Sequence, residues 1–207
     1  MAPTKQEQIM SRSAIIDAIR RNKPAAPAPL PGIPVFTNDG ADTLETFIAT
    51  AETGGSQVIR ISDSRDIGTA LGIRFPEAGI VASPLSFIDT HINLEAVQNP
   101  AELEHVDIAV IRGGPGVAEN GAIWISEADC VHRVLPFICQ HLVVLLDPAG
   151  IVQNMHLAYE RIQIDEQGFG VFIAGPSKTA DIEQSLVTGA QAARSLTIFL
   201  TAFSDSK

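Results

Sequence analysis

The chain has 207 residues, 45% of them hydrophobic and 18% charged, a composition that excludes disorder, collagen and coiled coil and suits one domain or one domain with an appendage. Fourteen Lys and Arg stand against 24 Asp and Glu, a net charge of −10. No basic stripe is present to neutralise phosphates, so nucleic acid and anionic lipid are excluded as partners. The apolar runs are of strand length, as at 142–146, which excludes membrane insertion, and the polar residues of 1–22 leave no signal-peptide core. With only Cys130 and Cys139, a reduced, cytoplasmic setting is expected.

In chain order, residues 5–21 read as a helix, with Ile9 and Ile16, and Ile15 and Ile19, at helical spacings. Five prolines, Pro24, Pro27, Pro29, Pro31 and Pro34, then predict a stiff, extended linker. The expected organisation is an N-terminal helical arm at 1–22, a Pro-rich linker at 23–34 and an α/β body at 35–207. A helix on such an arm invites exchange between subunits, and so a homo-oligomer.

Asp42-Thr43-Leu44-Glu45 has the spacing of a capping box, and Leu44, Phe47, Ile48 and Ala51 continue a helical stripe that Gly54-Gly55 ends. A strand follows at 57–61. Asp63 or Ser64 opens a second helix carrying Ile67, Ala70 and Leu71, with Gly72 as its stop, before a short strand at 79–82. This alternation predicts an α/β layer fold with a mainly parallel sheet. Strand-like runs follow at 107–111, 122–125 and 141–146. The gap at 112–121 is too short for a helical crossover, so a hairpin is expected between the first two. Ile151, Met155, Ala158 and Ile162 predict a helix over 148–162. Strands at 170–174 and 196–200 bracket a polar segment with a short helix starting near Thr179.

Three segments carry candidate chemistry. Gly175-Pro176-Ser177-Lys178-Thr179-Ala180-Asp181-Ile182-Glu183-Gln184 offers hydroxyls, an ammonium and carboxylates in one short run. A helix starting near Thr179 would aim Lys178 and backbone amides at an anion; a capped helix with a solvated polar face is the alternative. It is not a Walker A loop, because Pro176 and Ser177 separate the glycine from the lysine. Arg112-Gly113-Gly114-Pro115-Gly116 leaves a buried strand, where Gly113 and Gly114 let backbone approach a ligand or simply make a turn. Ala118-Glu119-Asn120-Gly121 holds an Asn-Gly hairpin signal and, read functionally, presents Glu119 as a nucleophile or base. Cys130-x-His132 and Cys139-x-His141 recur nine residues apart, a spacing that does not match the usual zinc loops, so no metal site is expected.

The stretch from Gly175 to Ala190 resembles the carboxyl-terminal signature of the lactate utilization protein C family (LutC/YkgG, the LUD domain). Ala118-Glu119-Asn120-Gly121 resembles that family's Ala-Glu-Thr-Gly segment, with Asn120 in place of threonine, and His141-Leu142-Val143-Val144 resembles its His-Ile-Val-Val strand. The resemblance covers roughly residues 107–201. It implies a Rossmann-like, NagB/RpiA/CoA-transferase-like α/β fold and an accessory role in cytosolic oxidation of L-lactate to pyruvate. It also implies that the iron–sulfur clusters reside in partner proteins, with no cofactor in this chain. Two cysteines agree, being too few for a four-cysteine cluster. The implied ligand is a small carboxylate or other anion, with Glu119, Gly113, Gly114, Asn120, Gly121, Ser177, Lys178, Thr179, Asp181 and Glu183 as its candidate residues. A shorter likeness to the Ser-Glu-Asn-Gly motif of one class of CoA transferases implies an alternative, an enzyme carrying CoA as a thioester on Glu119. A third reading makes the 175–183 segment a dock for the cluster-bearing partners.

Overall fold

The structure is a computed structural model that describes residues 12–24, 29, 31, 32, 34, 40–163 and 168–202, without the side chain of Ser64. Residues 5–11 of the first predicted helix, all three alanines of the proline-rich linker and the expected body start at Val35 lie outside them. The chain divides into two compact units, Met1–Phe36 and Thr37–Lys207. In the first, helix α1 (Arg12–Arg21) carries Ile15, Ile16 and Ile19 of the predicted stripe, with Ile15 and Ile19 exposed, while Ile9 lies outside the described residues. Among the described residues no helix is long and apolar enough to cross a membrane.

The second unit is built on a five-stranded parallel sheet in the order β1 (Gln57–Arg60), β10 (Ser195–Leu200), β6 (His141–Leu146), β3 (Ile108–Gly113), β2 (Val81–Ala82). Its central strands are near-continuous apolar runs because both faces are covered. Alternate residues point to opposite faces. Leu142, Val144 and Leu146 of β6 join one cluster with Phe47 and Ala51 of α2 (Thr43–Thr53), while Val143 and Leu145 join another with Ile67 and Leu71 of α3 (Ile67–Arg74). The mainly parallel sheet flanked by helices is therefore the predicted one.

Asp42 caps α2 as expected, accepting the amides of Leu44 (2.9 Å) and Glu45 (3.3 Å). Glu45 does not return the contact; its carboxylate pairs with Arg60 of β1. Asp63 accepts the Arg65 amide at 2.9 Å and opens a single 3-10 turn before α3. Helix α3 runs through Gly72, contrary to expectation, and stops at Phe75. The following residue, Pro76, disfavours helical backbone at Phe75, and one glycine inside a packed helix is tolerated.

Three further expectations are corrected. The strands at 108–113 and 122–126 do not form a hairpin with each other. At Gly114 (φ +148°), before a cis Pro115, the chain leaves the main sheet. It then forms β4 (Gly116–Val117), which pairs antiparallel with β5 (Ala122–Ser126), and β5 pairs with β7 (Gly170–Ile173). The hairpin is β4–β5, turned at Asn120-Gly121. Beyond the one-turn helix α4 (Leu135–Ile138), the helix expected over 148–162 is three pieces: a 3-10 turn at Pro148–Gly150, an extended stretch bridging Val152 to Val117, and α5 (Met155–Tyr159), capped by Asn154. Gly150 and Asn154 break the helix, and the amide and carbonyl of Val152 are spent on Gly116 and Ala118. No helix starts near Thr179. β8 (Lys178–Ile182) and β9 (Ser185–Thr188) form a separate two-stranded hairpin whose tip, Glu183 and Gln184, has φ of +51° and +56°. Two left-handed residues in a row are the requirement of the common hairpin turn. Between them, β-branched Thr179, Ile182, Val187 and Thr188 supply the strand chemistry.

The strands are level at their amino ends, where Ile108, His141 and Ser195 lie side by side. His141 Nδ1 is 2.8 Å from Ser195 Oγ, and its ring sits 4.8 Å from that of Phe75. Burial, then the charges of Arg74 and Arg194, hold its pKa below the usual 6.5, against the smaller pull of Asp107. The unfolded chain therefore binds the proton more readily. This contribution to stability is complete above the unfolded value and is lost as pH falls through the folded one. Thermal denaturation should show Tm falling as the pH is lowered from neutrality through the histidine range, and His141→Gln should flatten that slope. An unchanged slope in the variant would count against it.

Candidate functional site

Apart from Gly113 and Gly114, the sequence-predicted residues fall into two groups that lean on the last turn of α2. In the first, the Glu119-Asn120-Gly121 turn is wedged between α2 and the segment entering α5. Thr50 Oγ1 donates to the Ala118 carbonyl at 2.7 Å, Glu119 N donates to the Gln153 carbonyl at 3.0 Å, and Asn120 Oδ1 accepts the Ala122 amide at 3.0 Å. The Glu119 side chain is exposed, with Oε1 accepting the Met155 amide at 2.8 Å. In the second group, Ser177 is held by its main chain, its amide on the Ala193 carbonyl (3.0 Å) and its carbonyl under the Gly189 amide (2.9 Å). Lys178 Nζ donates to the carbonyl of Gly54, the C-cap of α2. A cation at a helix's carboxyl end meets both an orphan carbonyl and the negative end of the dipole. Thr179 Oγ1 accepts the Asp181 amide at 3.2 Å, and Asp181 and Glu183 are exposed toward the hairpin tip.

Gly113 and Gly114 belong elsewhere. A Cβ on Gly113 would come within 3.0 Å of Ile123, Ile125 and Val144, so the two sheets touch there and only glycine fits. Together with Arg112 and Pro115 these glycines form one wall of a cleft of about 310 Å³. Leu146 and Asp147, at the end of β6, form the opposite wall, and Asp129, Gly150 and Arg161 close it. This is the crevice at the carboxyl ends of adjacent parallel strands, where open α/β sheets place ligands. A second cleft of about 300 Å³ runs past Ser177 and Lys178 over Leu142 and Phe172. Glu119 lines neither.

Sequence reasoning named the glycines of the strand-end cleft and missed its charged groups. Arg112 had a local signal, being the first charge after a fully buried strand. Arg161, Asp147 and Asp129 had none, since only the fold brings them to Gly113. The paired cysteines and histidines are dispersed into packing. Burial raises both buried thiols, Cys130 and Cys139, to about 12, His132 Nε2 lies 2.8 Å from the Leu94 carbonyl, and His141 binds Ser195. Among the described residues no three His, Cys, Asp or Glu side chains are grouped to hold a metal.

These features define an α/β domain with a helix-flanked parallel sheet, a strand-end cleft and an outlying hairpin. Residues 85–201 match the LUD domain, and the chain belongs to that family. It is 32% identical over 111 residues to lactate utilization protein C of Bacillus pumilus (strain SAFR-032), an alignment covering 50% of this chain and 46% of that protein. The chain thus spans about half the length of the curated relative it matches. The crystal structure of a DUF162 family protein from Deinococcus radiodurans superposes with a TM-score of 0.60 at 16% identity, over 77% of this chain and 96% of that one, and shows the fold.

Proposed function

We propose that this chain is an accessory component of a cytoplasmic L-lactate utilization system, binding a small carboxylate while iron–sulfur partner proteins carry the electrons. The observation that carries the reading is that the strand-end cleft, from Arg112 to Arg161, lies wholly inside the LUD segment 85–201. The name of the Bacillus relative supplies the substrate class. The β8–β9 hairpin is the partner-facing element. Ile182 and Leu186 are 52% and 71% exposed on it, beside the carboxylates of Asp181 and Glu183, and an isolated two-stranded ribbon is a poor stability element on its own. Glu119, with one carboxylate oxygen engaged by the Met155 amide, serves this reading as a positioning residue.

Deleting the gene should abolish growth on L-lactate as sole carbon source, and wild type should restore it. The double variant Ile182→Asp/Leu186→Asp should fail to restore growth while keeping wild-type protein level and Tm. Normal growth of the deletion strain sinks the lactate role. Full rescue by the hairpin variant sinks the docking role and leaves the first intact.

A further inference from the structure

We infer that the groove between α3 and the edge strand β2 is a second ligand site, shaped for an uncharged planar aromatic ring that carries an amide at its edge. It is a cleft of about 540 Å³, within the range of small-molecule sites. Ile108, the first residue of β3, lines it, whereas Gly113, the last, lines the strand-end cleft. The two clefts therefore open at opposite ends of one strand. One wall is α3, with Gly68 and Gly72 one turn apart and Phe75 just past the helix end. Neither glycine is required by the fold. Both lie in helical backbone without a positive φ, and a Cβ on either would meet nothing within 4 Å. Alanine is the better helix former at both positions. The glycines leave one turn of bare main chain along the cleft, and so a flat wall.

The opposite wall, from Phe87 to His91, is held in place by the protein alone. Ser83 Oγ, at its root, donates to the Val110 carbonyl at 2.6 Å and accepts the Leu85 amide at 3.1 Å. Ile88 is buried in the core cluster that also holds Leu71 and Phe75. The His91 amide donates to the Val81 carbonyl at 2.9 Å, and the Val81 amide donates to His91 Nδ1 at 3.1 Å. A ring nitrogen that accepts carries no proton, so the His91 ring keeps its proton on Nε2 and offers a donor there. Asp89 lines the same wall, and an ionised carboxylate only accepts. Arg65, at the rim, is committed to Asp63, its Nε lying 3.0 and 2.9 Å from the two carboxylate oxygens. The described lining residues thus supply one donor, one acceptor and no unpaired cation. An amide answers that pair, with its carbonyl for His91 and its N–H for Asp89. A carboxylate would meet Asp89 with like charge. Phe87, 46% exposed, adds an aromatic surface, and aromatic rings favour stacked or edge contacts with one another.

The test is saturation-transfer NMR titration of the purified full chain with three probes. Benzamide has the ring and the amide, benzoate has the ring with a charged carboxylate, and cyclohexanecarboxamide has the amide without a flat ring. Benzamide should bind, and each of the other two should bind about tenfold more weakly or worse, the scale of one lost hydrogen bond to a charged group. Gly72→Leu places a side chain in the slot and should remove the benzamide signal, with Tm at or above wild type because leucine is a good helix former. Gly72→Ala, the milder change, should weaken binding and raise Tm. Asp89→Asn should narrow the preference for benzamide over benzoate. Arg60→Gln, on the far edge strand β1, should change nothing. No benzamide binding to the wild-type chain overturns the site. So does benzamide binding that survives unchanged in a folded Gly72→Leu chain or, if that chain does not fold, in Gly72→Ala. Cyclohexanecarboxamide binding as tightly as benzamide overturns the flat slot. Benzoate binding as tightly, or a preference that Asp89→Asn leaves unchanged, overturns the amide recognition.

Discussion

Truncating Phe47 to alanine should destabilise the second unit by about 3–5 kcal/mol, the cost of deleting a fully buried aromatic side chain and leaving a cavity. Phe47 is 0% exposed and lies in the larger core cluster with Ile111, Val144, Leu146 and Ile198. It is the anchor of α2, whose other buried residue is only Ala51. A Cβ on Gly116 would sit 3.2 Å from the Phe47 ring, so α2 lies directly on the start of β4 and little neighbouring side-chain mass can collapse into the space. For a domain of this size, the loss corresponds to a Tm drop of roughly 6–20 °C. Urea denaturation is the check, with a lowered midpoint and an unchanged slope. A loss below about 1 kcal/mol would show that the surroundings close the cavity, contrary to this packing. Phe47→Leu should recover most of the difference. The effect reaches past stability, because the last turn of α2 carries both the Glu119–Gly121 turn and the Lys178 contact.

The central sheet was legible because its physics is local. Residues 141–146 and 195–200 are apolar almost without interruption, as strands covered on both faces must be. The α2 start was legible because an aspartate before an apolar stripe has one common use. The errors arose where a local pattern fits two structures. Ile151, Met155, Ala158 and Ile162 have helical spacing, yet Val152 is worth more as a bridge to β4, a contact invisible in the local sequence. The 178–188 hairpin was missed because its turn is Glu183-Gln184, without the glycine that announces such turns, and because Ser-Lys-Thr followed by acids also reads as a helix start. Of the site, the strand-exit glycines could be found from sequence, since glycine after a buried strand is itself a signal. Arg161 could not, because its relation to Gly113 exists only through the pairing of β3 with β6 and the chain's return after α5.

Gly121→Ala is the second large effect, expected at about 2–5 kcal/mol. Gly121 has φ +68°, a conformation that costs an L-residue roughly 1–2 kcal/mol. A methyl there would also lie 2.6 Å from both the Cα and the N of Ala51. These are backbone atoms of a helix held by Phe47, so they cannot rotate aside as a side chain would, and overpacking of this kind adds about 1–3 kcal/mol. Glu119→Gln should behave differently. The amide oxygen of Gln still accepts from Met155, so denaturant midpoints should stay within about 0.5 kcal/mol of wild type, as for most exposed substitutions. The two variants together divide the Glu-Asn-Gly segment into its physical parts. If Gly121→Ala unfolds the chain early while Glu119→Gln is stable and supports growth on lactate, the segment acts as the joint that seats β4–β5 on α2. If Glu119→Gln is stable and growth fails, the carboxylate itself is needed, and the thioester chemistry implied by the CoA-transferase likeness becomes the reading to test by intact mass after exposure to acyl-CoA. A Gly121→Ala chain as stable as wild type would mean that α2 shifts to admit the methyl, and the close seating of turn on helix would not be what holds them together.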